Sequence, residues 1–198
     1  MTDEDTYSEK RAVSLITAEQ LRKIMPGLKR PTAEVYIGHL NAAMEAYAIT
    51  TPQRQAAFLA QVAHESGELK WWAELWGPTD AQRRYEPPNQ LAAKLGNTEP
   101  GDGKRFRGRG PIQITGRFNY AKYSKILGLG DRLLAEPELL AMPEWGFQSA
   151  AAFWVENGLN ALADRGHFTA ITKKINGGLN GLAQRRAYWK VAKTVFGA

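Results

Sequence analysis

A stretch of 40 residues, 77–116, rich in Gly, Pro and Asn lies between runs of helical periodicity, and no other feature limits the fold so strongly. Its segment GNTEPGDGKRFRGRGPIQITG holds six glycines, which punctuate helix and strand patterns alike. Only RFRGRGPIQIT suggests short extended structure, so a glycine-rich loop or a small β-hairpin is expected there. An irregular segment of this length inside a compact domain is usually functional.

Helical signals flank it on both sides. Thr17 and Gln20 form a capping box, with Ile16 and Leu21 as the hydrophobic staple, and Pro26-Gly27 ends that helix. Tyr36, Leu40, Ala43 and Tyr47 mark a second helix from about Thr32. Thr51-Pro52 supplies the cap and first-turn proline of a third, QRQAAFLAQVAHES, whose periodicity stops at Gly67. The pattern returns in FNYAKYSKIL, PEWGFQSAAAFWVEN, FTAITKKIN and LAQRRAYWKVAKTVF. The expectation is a mainly α-helical chain: a loose charged tail at 1–12 and one domain over 13–198, monomeric.

Composition narrows the function. Hydrophobic residues are 43% and charged residues 23%, as in ordinary globular domains. No apolar run approaches the roughly 20 residues of a spanning helix, and the polar, acidic start MTDEDTYSEKRAV is unlike a signal peptide. Synthesis in the cytosol without stable membrane insertion is therefore expected. The absence of cysteine excludes a disulfide framework, thiol catalysis and cysteine-bound metals. His64-Glu65 would begin a zinc-protease helix motif, but that motif needs a histidine at position 68, where Glu68 stands. Three histidines leave too few ligands for a zinc centre. Nothing completes a phosphate loop around Gly103-Lys104, and no metal or cofactor is expected.

The net charge of +6 is segregated: residues 103–130 carry seven Lys or Arg and no acid, and residues 165–198 carry another seven and no acid. Such blocks either solvate helix faces or meet an anionic partner. No nucleic-acid reading module accompanies them, so nucleic acid is not the expected partner.

One carboxylate stands out. On the third helix Phe58, Val62 and Leu69 define an apolar stripe, and Glu65 occupies the position that completes it. A carboxylate in such a slot should be ion-paired, catalytic or protonated near neutral pH, and a protonated carboxyl can act as a general acid. Glycoside cleavage needs a second carboxylate, for which Glu68, Glu74 and Glu86 are candidates. On an unbroken helix Glu74 would face away from Glu65, at about 100° per residue. A helix ending at Gly67 allows WWAELWG to turn back across a cleft.

AQVAHESGEL, the glutamate nine residues after Glu65, GRGPIQITGRFNY and INGG together resemble glycoside hydrolase family 19, the chitinase-like hydrolases that include many phage endolysins. The likeness spans roughly residues 50–190, and NTEPGDGKRFRGRGPIQITG is especially similar to the endolysin branch. It implies a lysozyme-like or chitinase-like helical fold with a cleft. Glu65 then matches the general acid and Glu74 the general base, with Glu86 as the backup base. Thr115 matches the hydroxyl residue, and Gln113 the amide, that position water and sugar. His64, Asn119 and Asn176 match sugar-side positions, and Arg185 a cleft arginine that orients the acids. Asn180 stands where plant members carry a further glutamate. For the residues taken singly, Gln113 and Asn119 also suit loop bracing, and Asn176 a helix end before Gly177. Trp154 and Phe153 have core spacing, whereas Trp71, Trp72 and Trp76 suit either packing or sugar stacking.

The resemblance implies an inverting endolysin acting on the β-1,4 bonds of peptidoglycan glycan strands, made in the host cytoplasm and released through a separate pore protein to the periplasmic wall. A chitinase, and a non-catalytic wall-binding module, are the alternatives. The basic blocks would then face the peptide carboxylates of the polymer. The basic, aromatic C-terminal helix suits either a core role or a membrane-disturbing one.

Overall fold

Regular structure over residues 16–198, the part that the computed structural model describes, consists of twelve α-helices and one 3-10 turn. The tail expected at 1–12 lies outside these residues. Thr17 closes its capping box with Gln20 at the start of α1 (Ala18–Ile24). α2 (Arg30–Ala46) begins slightly earlier than its apolar spacing suggests, because Pro31 fits the first turn, where no N–H is required. α3 (Pro52–Glu65) is capped by the Thr51 side chain, which accepts from the Arg54 N–H.

The glycine-rich stretch is less irregular than its sequence implies. It contains α4 (Asp80–Arg83), α5 (Gln90–Leu95) and α6 (Asp102–Arg105). These run four to six residues, too short to display a periodic apolar face, and local capping sets their ends. Thr79 and Gln82 form a capping box at α4, and Gly96 ends α5 in the left-handed region at φ 70°. The expected hairpin is reduced to isolated bridges, with Arg109 pairing antiparallel to both Ala73 and Ile114.

α7 (Arg117–Ile126), α8 (Arg132–Ala135), the 3-10 turn Pro137–Ala141, α9 (Pro143–Glu156), α10 (Leu159–Asp164), α11 (Phe168–Asn176) and α12 (Leu182–Phe196) complete the chain. Of these, α8 and α10 carry too few turns to register as periodicity. The larger hydrophobic cluster gathers Leu21, Leu40, Phe58, Phe147, Trp154 and Ile171. Trp154 is fully buried, edge-on to Phe58 at 5.4 Å, with its indole N–H donating to Asn160 Oδ1 at 2.9 Å. A smaller cluster holds Phe106, Ile114, Tyr120, Leu133 and Leu140, and Tyr47, Ile112 and Phe153 pack against both.

α12 packs more extensively against α3 than any other pair of elements does. Tyr188 and Trp189 turn toward the core, while Arg186 and Lys190 remain exposed. The basic, aromatic C-terminal segment is thus a core helix with a solvated face. No helix among the described residues is long and apolar enough to cross a membrane.

Candidate active site

Glu65 is the last residue of α3, and the way that helix ends decides where the chain goes next. The Glu68 N–H bonds the Ala63 carbonyl at 2.8 Å and the Gly67 N–H reaches the His64 carbonyl at 3.4 Å, a Schellman closure around a left-handed glycine. Gly67, Glu68 and Leu69 all take positive φ, 57°, 61° and 62°. The Ser66 hydroxyl donates to the Val62 carbonyl at 2.6 Å and accepts the Leu69 N–H at 2.8 Å, fixing this reversal. Glu68 also pins it, accepting from Tyr188 Oη at 2.7 Å and the Gly27 N–H at 2.5 Å. The helix therefore ends just before Gly67, where its periodicity stops.

Glu65 retains 21% of its side-chain exposure, and its Oε1 is shut off from solvent. That oxygen lies 2.5 Å from Arg185 Nη2, in a charge contact whose angle falls outside hydrogen-bond geometry. The ion pair is one of the outcomes that an apolar-stripe carboxylate required. Arg185 is fully buried; its Nη1 donates to Gln61 Oε1 at 2.5 Å and its Nε to the Asn180 carbonyl at 3.2 Å. Gln61 Nε2 continues to Thr172 Oγ1 at 2.9 Å. One turn of α3, Gln61 to Glu65, is thus tied to α12 and α11. His64 Nδ1 sits 2.8 Å from Gln184 Oε1. Burial, and then the Arg185 charge, hold the His64 imidazole below its ordinary pKa of 6.5. Gly181, at φ 70°, admits that ring: a Cβ there would overlap it.

Beyond the reversal, the chain pairs with the glycine-rich loop. The Gly110 N–H donates to the Trp72 carbonyl at 2.9 Å and the Glu74 N–H to the Gly108 carbonyl at 2.8 Å. Both carboxylate oxygens of Glu74 are oriented by neutral donors: Gln82 Nε2 to Oε1 at 2.9 Å and the Gly108 N–H to Oε2 at 3.2 Å. Each oxygen keeps a second lone pair for a further donor. Arg107 Nε braces the Glu74 carbonyl at 3.1 Å.

Gln113 and Thr115 reach the same loop. A Cβ on Gly108 would lie 2.7 Å from Gln113 Oε1 and 3.2 Å from Thr115 Oγ1, so a larger residue there would displace the Gln113 amide from the strip that holds Glu74. Gln113 stands at φ 55° and donates from Nε2 to the Gly110 carbonyl at 2.9 Å. Thr115 Oγ1 donates to the Gln113 carbonyl at 2.9 Å, and Asn119 Nδ2 to the Thr115 carbonyl at 2.8 Å. Gln113 and Asn119 therefore do brace the loop.

The expected site residues fall into two groups joined by residues 66–73: Glu65, His64 and Arg185 on the α3–α12 seam, and Glu74, Gln113 and Thr115 around the glycine-rich loop with Asn119 in the first turn of α7. Two others lie on different elements. Asn176 is exposed at the end of α11, before Gly177 at φ 71°. Glu86 clamps α6, its oxygens accepting the Gly101 and Lys104 N–H groups at 2.9 and 3.1 Å. Of the tryptophans, Trp72 packs on Tyr36 and Phe147, Trp76 lies against Tyr85, and Trp71 is exposed.

Three contributors were not anticipated. Gln61 was visible as a second polar position one turn before Glu65 on the buried stripe. Gln82 was visible only as the final residue of a T-x-x-Q box; it is buried and holds Glu74. Gly108 carried no signal that set it apart from neighbouring glycines.

The family model described as Chitinase class I, glycoside hydrolase family 19, matches residues 41–163. The chain belongs to glycoside hydrolase family 19. The matched residues include Glu65, Glu74, Gln113, Thr115 and Asn119 but not Asn176 or Arg185. Among family 19 relatives, an endochitinase of Arabidopsis thaliana is 39% identical over 132 residues, covering 66% of this chain and 41% of that protein. A glycosyl hydrolase family 19 domain-containing protein of Haemophilus influenzae is 35% identical over 112 residues, covering 45% of this chain and 56% of its own length. The chain thus spans less than half of that plant relative. Chitinase C of Streptomyces griseus shares the fold, with a TM-score of 0.70 at 24% identity over 93% of this chain and 77% of the other. The family 19 fold is mainly helical and lysozyme-like, as expected.

Proposed function

We propose that this chain is a peptidoglycan-cleaving endolysin that hydrolyses the β-1,4 bond between N-acetylmuramic acid and N-acetylglucosamine with inversion. In this reading Glu65 protonates the leaving oxygen, while Glu74, with Thr115 beside it, activates a water on the opposite face of the ring. Inversion calls for carboxyl groups about 6.5–9.5 Å apart. The observation that supports the reading is the fixed placement of the two acids. Glu65 closes α3 against the buried Arg185, and the reversal at 66–69 leads on to Glu74, whose two oxygens are held by the Gln82 amide and the Gly108 N–H. His64, Gln113, Asn119, Asn176 and Arg185 complete the proposed substrate side and its support. Delivery from the host cytoplasm to the wall by a separate pore protein belongs to the same reading.

Chitin hydrolysis is the second reading, favoured by relatives that are themselves named endochitinase and chitinase. Mass spectrometry of the fragments released from purified sacculi and from chitin oligomers separates the two. Fragments ending in reducing N-acetylmuramic acid support the endolysin reading. Cleavage of chitin alone supports the second, and binding without release from either rejects both.

A further inference from the structure

Beside the loop that holds Glu74 lies a cavity of about 620 Å³, between α6, the start of α7 and the 3-10 turn. Five cations line it: Lys104, Arg105, Arg107, Arg109 and Arg117. Two of the three acids that face them are already engaged. Asp102 holds Arg117 through Oδ1 and Oδ2 at 2.6 and 2.7 Å, and Glu138 lies 3.1 Å from Arg109. Burial would raise the Asp102 pKa, but Arg117 and the Glu99 and Thr98 amides outweigh it and hold Asp102 below the usual carboxylate range.

Glu99 is the remaining acid, and among the described residues no carboxylate lies within ion-pair distance of Lys104, Arg105 or Arg107. The two arginines are instead steadied by carbonyls. Arg105 Nη2 donates to Leu134 at 2.8 Å, and Arg107 donates to Glu74 and to Lys104, each at 3.1 Å. Guanidinium groups fixed in this way keep their charge and further N–H donors for a carboxylate.

The cavity and the candidate base share one strip of backbone. Arg107 braces the Glu74 carbonyl, and the next residue, Gly108, donates to the Glu74 carboxylate. Resting on the endolysin reading, we infer that this cavity receives a carboxylate of the stem peptides carried by the glycan, while the sugar backbone lies along Glu65 and Glu74. Chitin carries no such anion. Phe106, which lies beneath the Arg105 and Arg117 guanidinium groups, is fully buried and offers no stacking platform for nucleic-acid bases.

The test compares native sacculi with the same sacculi neutralised by carbodiimide coupling to ethanolamine. Binding is read by pelleting in a Glu65→Gln background, so that it does not depend on turnover. Lys104→Gln with Arg105→Gln changes two exposed side chains that make no contact with Glu74. The parent is expected to hold native sacculi about fivefold more tightly than neutralised ones, and the double variant to lose that preference. Equal binding of both substrates by the parent, or an unchanged preference in the double variant, overturns the inference. So does tighter binding of single-stranded DNA that the double substitution abolishes, because the cavity then serves phosphates. Failure of the unsubstituted protein to release fragments would sink the endolysin reading and leave the binding comparison intact.

Discussion

Arg185 Nη2 lies 2.5 Å from Glu65 Oε1, joining the last residue of α3 to the buried side of α12. The same guanidinium holds Gln61 one turn earlier, so the seam that packs these helices also orients the candidate acid. Stability and site geometry therefore depend on one side chain.

Arg185→Ala strands Glu65 and Gln61 in a buried setting, and removing one partner of such a pair costs about 3–5 kcal/mol. A urea midpoint lowered accordingly is expected. Arg185→Lys keeps the charge but not the fork and should recover only part of the loss. A midpoint unchanged in the alanine variant would show that the pair does not hold the seam.

Gln82→Leu removes the N–H that donates to Glu74 Oε1 and also the oxygen that accepts from the Gly77 and Thr79 N–H groups. Loss of about 1–3 kcal/mol in stability is expected from the unpaired groups. If Glu74 is the base, kcat should fall at least tenfold while KM moves little, since orientation of a reacting group is lost. Equal kcat in a folded Gln82→Leu protein would separate Glu74 from the chemistry.

His64 makes stability pH-dependent, with a definite sign. Its folded pKa is lowered by burial and by Arg185, so the unfolded chain takes up a proton first as pH drops through 6.5. The penalty is absent above that pH and grows below it until the folded form also protonates. Urea midpoints at pH 7.5 and 5.5 should therefore fall more steeply with acid in the unsubstituted protein than in His64→Gln. Parallel slopes would contradict this account.

Long periodic elements were legible from sequence because each repeats its apolar face over several turns: α3, α9 and α12 lie where their spacing places them. α4, α5 and α6 were not, since capping of one or two turns leaves no period. Glu65 was legible as a polar break in an apolar stripe. The supports of Glu74 were hidden for a different reason: Gln82 and Gly108 act through contacts eight and 34 residues away in sequence, which no local pattern records.

The most direct test of the account is hydrolysis of purified sacculi by Glu65→Gln, with folding checked by its urea midpoint. Gln is close to isosteric and cannot donate the carboxyl proton. Loss of a general acid lowers the rate by about 10²–10⁴-fold, so the account predicts a folded protein that binds sacculi but releases almost no fragments. Fragment release at the rate of the unsubstituted protein would contradict it.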